Sequence, residues 1–169
     1  MKTKPSLIAE INDLVGAVGD KFDTDDDGDA ERDFIAARCP PRLEDTVRTL
    51  PTLSMHLMAG IADGPVSLVG LASRSGQLKG TVSKHVQRLV EAGLVKRSPI
   101  PGNRKEIQLN LTADGELVTE AHRQLHEEIA AGLRDFLSRY PNAELEVLAK
   151  VLRDLAVATK DGVRIKPGE

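Results

Sequence analysis

Two histidines, His122 and His126 in the segment HRQLH, have the types and spacing best suited to chemistry in this chain. On a helix a spacing of four puts both imidazoles on one face a single turn apart, a common geometry for chelating Zn²⁺. The hydrolytic use of that spacing needs a glutamate beside the first histidine as general base, and Arg123 stands there instead. A metal held here would therefore regulate or brace, not hydrolyse. The plainer reading is a pair of solvent-facing helix residues. A second candidate, Asp23-Thr24-Asp25-Asp26-Asp27-Gly28, matches the first half of an EF-hand loop. The position that must offer a bidentate glutamate is Phe34, so a solvated acidic loop is expected instead. The single cysteine, Cys39, can form no internal disulfide. There is no Gly-rich phosphate loop, no nucleophile elbow and no motif pairing carboxylates with a histidine, so no enzyme is expected.

The frame that must position these residues is small. The chain has 169 residues, 40% of them hydrophobic, with a net charge of −3, which suits one ordinary globular domain with a tail. No apolar run approaches the length of a membrane span, and the start MKTKPSLIAE lacks the apolar region of a signal peptide. A cytoplasmic protein with no membrane partner is expected. With three Phe, one Tyr and no Trp, a stacking platform for single-stranded nucleic acid is not expected.

The net charge hides a segregation. Residues 23–33 carry seven acids against one base (Arg32), whereas residues 78–105 carry seven bases (Lys79, Lys84, Arg88, Lys96, Arg97, Arg104, Lys105) against one acid, Glu91. The second stretch is an electrostatic footprint for phosphate. The spacing of apolar residues around it predicts a helical chain. Leu7, Ile8, Ile11, Leu14, Val15 and Val18 suit a short amphipathic helix, and residues 42–50 and 52–62 read as helices broken at Pro51. Ser67 suits the N-cap of a short helix to about residue 74. After the turn Ser75-Gly76-Gln77, the residues Leu78, Val82, Val86 and Leu89 line one buried helix face, and Gly93 supplies a left-handed C-cap. The opposite face offers Thr81, Ser83, Lys84, His85, Gln87 and Arg88, side chains that can bond base edges and phosphates; His85 is expected to touch phosphate.

Residues 94–98 and 106–111 read as the strands of a hairpin, with Pro99-Ile100-Pro101-Gly102-Asn103 as its turn and Arg104 and Lys105 near its tip. A protruding arginine there could enter a minor groove. Thr112 can cap a long helix over residues 114–140, and Pro141-Asn142 starts another with the stripe Leu145, Leu148, Leu152 and Leu155. These two helices have too little domain of their own to pack against, so a dimer interface is expected. A monomeric four-helix core is the alternative.

The run GPVSLVGLASRSGQLKGTVSKHVQRLVEAGLVKRSPIPGNRKEIQLNLTADG, residues 64–115, resembles the winged helix-turn-helix core of the MarR transcription regulators. The resemblance rests on the helix exit TVS…RLV…GLV and on the LT..G after the wing. It implies a mainly α fold: a winged helix-turn-helix core with a two-stranded wing, flanked by N- and C-terminal dimerisation helices. The organisation expected is an N-terminal helix and acidic loop (1–40), the DNA-binding core (41–113), C-terminal dimerisation helices (114–160) and a tail (161–169). The function implied is that of a homodimeric transcription regulator, a repressor, reading a pseudo-palindromic operator in double-stranded DNA. Thr81, Ser83, Lys84, Gln87 and Arg88 fall on its recognition helix and Arg104 on the wing-tip arginine. Where the family commonly has an Asp to orient that arginine, Gly102-Asn103 stands here. Lys79, Lys84, Lys96, Arg97 and Lys105 are expected to hold phosphates, and Thr81, Ser83, Gln87 and Arg88 to carry sequence preference.

His56, with His122 and His126 ten and fourteen residues after Thr112, is similar to the ligand pattern of the zinc-responsive branch of this family. That resemblance implies Zn²⁺ as effector, with a carboxylate from the N-terminal region as the remaining ligand. Here Glu44, Glu31, Asp33 and Cys39 all stay open as the fourth donor, since thiolate or carboxylate satisfies zinc. Met55, where the branch tends to have an acid, argues against a second metal site. The alternative effectors are a small organic ligand, phenolic or anionic, and oxidation of Cys39. Pro40-Pro41 and the distant Tyr140 argue against oxidation, because the peroxide-sensing members carry their cysteine in a helix with tyrosines nearby.

Overall fold

In the computed structural model the described residues are 25–100, 103–161 and 164–166, together with Ile11 and Leu14. By its internal contacts the chain divides into two units, Met1–Leu125 and His126–Glu169. The division falls inside one continuous helix.

In the first unit the acidic run is not a loop. Helix α1 spans Asp25–Ala36, and its end is fixed by burial of Ile35 and Ala36 in the core. Packing at one end carries a segment whose acids also suit the positive end of a helix dipole. This helix replaces the turn that an EF-hand needs, so the acidic run is not a calcium loop. Of the apolar stretch before it, only Ile11 and Leu14 are described, both helical and exposed; the rest lies outside the described residues. A 3-10 turn, Pro41–Leu43, leads into α2, Glu44–Thr49, where a single helix over 42–50 was expected. Pro51 then caps α3, Thr52–Ala62.

The helix-turn-helix follows. Strand β1 is only Val66–Ser67, and the Ser67 hydroxyl accepts from the Gly70 N–H at 3.1 Å to start α4, Leu68–Ser75. Gly76, at φ +63°, closes α4 in the left-handed region that favours glycine. Helix α5 spans Lys79–Glu91 and buries Val82, Val86 and Leu89 completely. Strands β2, Val95–Ile100, and β3, Asn103–Leu111, form an antiparallel hairpin in register at Val95↔Leu111 and Ser98↔Gln108. β1 adds to the other edge of β3, giving the order β1-β3-β2. The expected two-stranded wing thus has a third, two-residue strand, too short to show a period in sequence.

Helix α6 runs Ala113–Leu137, ending three residues before the expected Tyr140. Thr112 ties its start to the wing: its hydroxyl accepts from the Gly115 N–H at 3.1 Å and donates to the Gly93 carbonyl at 2.6 Å. Gly115 packs so closely that a Cβ there would lie 2.0 Å from the Leu94 carbonyl oxygen. One core joins these elements, with Leu57, Met58, Leu71, Val86, Leu94, Leu109 and Val118 among its most buried members.

The second unit holds the rest of α6, helix α7 over Asn142–Val157, and an antiparallel ribbon of β4, Thr159–Asp161, and β5, Arg164–Lys166. The ribbon reaches into the expected tail. Among residues 126–158 none is buried. Val147, Leu148, Val151, Leu152 and Leu155 of α7 are all exposed.

Candidate nucleic-acid interface and metal centre

Helix α5 presents its bases as the periodicity requires. With Val82, Val86 and Leu89 turned into the core, Lys79, Lys84, Gln87 and Arg88 are exposed and Thr81 and Ser83 are half-buried. Two positions depart from expectation. Leu78, expected at the head of the buried stripe, is the N-cap of α5 with an extended backbone (φ −64°, ψ 138°) and is 80% exposed. A non-helical N-cap does not follow the helix period, so its side chain leaves the stripe. His85, expected to touch phosphate, instead shares a 2.8 Å hydrogen bond between its Nδ1 and Oγ of the fully buried Ser54 on α3. Burial, then the charges of Arg88 and Lys84, hold its pKa below the ordinary 6.5. The Gln87 amide donates to the Glu91 carboxylate at 2.8 Å.

On the wing, Lys96 and Arg97 of β2 are both exposed. Arg104 and Lys105 belong to β3, but their side chains lie outside the described residues. Helix α5 and strand β2 follow one another across Gly93-Leu94 in the same unit, the helix carrying Lys79, Lys84 and Arg88 and the strand Lys96 and Arg97.

The second cluster is of histidines. His56 lies on α3, and His122 and His126 stand one turn apart on α6. The helix itself fixes His126 relative to His122. One ring nitrogen from each of the three lies within 4.8 Å of the others. The His56 and His122 rings are 5.3 Å apart at their centroids; His122 is buried, while His56 and His126 are exposed. Three imidazoles converging at this range fit the donor set and spacing of a zinc site with one open position.

None of the expected fourth donors joins that group among the described residues. Glu44 accepts from Arg48 at 3.0 and 3.2 Å, and Asp33 pairs with the same guanidinium. Glu31 is half-buried on α1. Cys39 is half-buried against the core, and burial pushes its thiol pKa up, which disfavours the thiolate needed for metal binding or oxidation. On α6, Glu120 is held at about 2 by hydrogen bonds from Arg123 and Gln124, so it too is engaged within its own helix. The Ser54–His85 bond and the exposure of Leu78 were missed in sequence. A serine two residues before His56 carries no signal of its partner, whereas a leucine in an N-cap position is visible once the helix start is fixed.

The winged core matches the MarR family model over residues 62–107. The HTH-type transcriptional regulator YhjH of Bacillus subtilis is 26% identical over 107 residues, covering 63% of this chain and 61% of its own length. The chain thus spans about three fifths of that relative. Among solved structures, the zinc-responsive MarR family member ZitR of Lactococcus lactis shares the fold with a TM-score of 0.59 at 19% identity, over 64% of this chain and 75% of its own. A variant of ZitR has been solved in complex with DNA. The adhesin competence repressor AdcR of Streptococcus pyogenes shares it with a TM-score of 0.63 at 16% identity, over 89% of this chain and 95% of its own. At these identities the likeness is one of fold. The family and the curated relative are transcription regulators, not enzymes.

Proposed function

We propose that this chain, whose winged core matches the MarR family model, is a homodimeric transcription regulator that binds double-stranded DNA sequence-specifically, acts as a repressor and responds to zinc. The observation that carries the zinc response is the convergence of His56, His122 and His126 within 4.8 Å. These residues would hold Zn²⁺, which supplies a tetrahedral link between side chains of α3 and α6. Water or a further donor completes the set.

The same geometry supplies a coupling. α3 packs against α5 through the Ser54–His85 bond, so a ligand that fixes α3 to α6 biases how the recognition helix is held. In a dimer that bias sets the separation of two recognition helices, and zinc acts as co-repressor. The dimer reading is supported by α7, which exposes Val147, Val151, Leu152 and Leu155 in one short helix. Contiguous exposed apolar surface of this kind marks an interaction site. Lys79, Lys84, Lys96, Arg97, Arg104 and Lys105 are assigned to phosphates, and Thr81, Ser83, Gln87 and Arg88 to bases.

The test is a competition titration of metal-stripped protein with Zn²⁺ beside the variant His126→Ala. About one zinc per chain, lost in the variant, is expected. Weak binding indifferent to the substitution would leave His122 a buried structural residue and His126 a surface one.

One feature favours a second reading. A cleft of about 330 Å³ in the first unit is lined by Ile61, Pro65, Lys96, Asn110, Leu111 and Glu116. Lys96, Asn110 and Glu116 offer donors and acceptors beside Ile61, Pro65 and Leu111, which suits a small phenol that can hydrogen-bond. Relief of DNA binding by a phenol, abolished by Glu116→Ala in the cleft but not by loss of zinc, would support it.

A further inference from the structure

Leu78 is the most exposed large apolar side chain among the described residues, at 80%. It contributes nothing to the core. Nor does it contribute a cap: it occupies the N-cap of α5 without a side-chain hydrogen bond, where Ser, Thr, Asp or Asn would be worth more to the helix. A bulky apolar residue that serves neither packing nor capping, at the N-terminal end of a helix whose outer face is basic, calls for a partner outside the chain.

Its neighbours say which partner. Lys79, Lys84 and Arg88 on the same helix are exposed, and the helix has no acid before Glu91. Gly80 has nothing within 4 Å of the place a Cβ would occupy, so the approach beside Leu78 is open. A polyanion is the complementary surface. In a helix-turn-helix it is the N-terminal residues of the recognition helix that reach base edges. On the major-groove floor only thymine shows an apolar group, its 5-methyl. The polar side chains available for reading are partly committed, since Gln87 is bonded to Glu91 and Thr81 and Ser83 are half-buried.

We propose that Leu78 is a specificity-determining residue whose side chain packs on the 5-methyl group of a thymine in the major groove. This rests on the reading of the chain as a sequence-specific binder of duplex DNA. Burying one methyl against it favours thymine over uracil by about fourfold in each half-site.

The experiment uses a duplex enriched by the full-length protein from a random-sequence library, with each thymine replaced in turn by uracil, which removes the methyl and nothing else. One thymine per half-site is expected at which uracil weakens the wild type about fourfold. The same replacement is expected to leave Leu78→Ser unaffected and to penalise Leu78→Met as it does the wild type. Serine is a better N-cap than leucine, so loss of the helix start cannot explain the result. A uracil penalty that persists in Leu78→Ser, or no penalty at any thymine of an enriched duplex, would overturn the proposal while leaving DNA reading intact. Failure of the wild type to enrich any sequence would overturn both.

Discussion

Ser54 of α3 and His85 of α5 are joined Oγ to Nδ1 at 2.8 Å, and Ser54 is fully buried. A buried hydroxyl needs a partner, and here the partner belongs to the second helix of the helix-turn-helix. Two residues after Ser54 on the same helix comes His56 of the histidine cluster.

The two ends of that bond are not equivalent. His85 is only half-buried, so Ser54→Ala leaves an imidazole that water can reach and costs about 0.5–1.5 kcal/mol. His85→Ala strands the hydroxyl of Ser54 in the core and costs about 1–3 kcal/mol. Urea midpoints of the two variants should fall in that order.

Acid should weaken the same contact. Burial, with Arg88 and Lys84 nearby, lowers the His85 pKa below 6.5, so the fold favours the neutral ring. The unfolded chain then binds the proton more readily. Stability from this group is complete above pH 6.5 and is lost as pH falls towards the folded value. Between pH 7.5 and 5.5, wild type should lose more stability than His85→Gln, and the His85 imidazole signal should titrate below 6.5. Equal losses in both proteins would count against it.

Gly115 should tolerate no side chain. A Cβ would lie 2.0 Å from the Leu94 carbonyl, which is backbone and cannot swing aside. Gly115→Ala is expected to cost about 1–3 kcal/mol by forcing α6 away from the wing base, read as a lower urea midpoint.

Phosphate contacts and base contacts separate by salt. Lys84→Ala should weaken binding to all duplexes alike and reduce the slope of log K against log salt by about one. Arg88→Ala should instead lower the ratio of specific to non-specific affinity. A variant ratio equal to the wild type would remove Arg88 from the readout.

The parts of the fold set by local rules were legible in the sequence. Ser67, Gly76 and Gly93 mark helix ends by capping and by left-handed backbone, and Val82, Val86 and Leu89 follow the helix period. Leu78 did not, because a cap residue lies outside that period. Helix α1 was hidden by its acids, since what holds it is burial of Ile35 in the core. The pair His122 and His126 is a matter of helix spacing. That His56 meets them is not: no spacing rule brings residue 56 to residue 122, and only the family resemblance suggested it.

Zinc should also stabilise the protein. At a free concentration about 100 times Kd, binding to the folded state alone adds about 2.7 kcal/mol, seen as a rise in Tm that His56→Ala removes.

The measurement that bears most directly on the function is the affinity of the full-length protein for a duplex it has itself enriched, with and without Zn²⁺, beside His122→Gln. A zinc-responsive repressor should bind at least tenfold more tightly with the metal, a coupling of about 1.4 kcal/mol, and the variant should show no such gain. Equal affinity with and without zinc in the wild type would contradict a zinc-dependent switch.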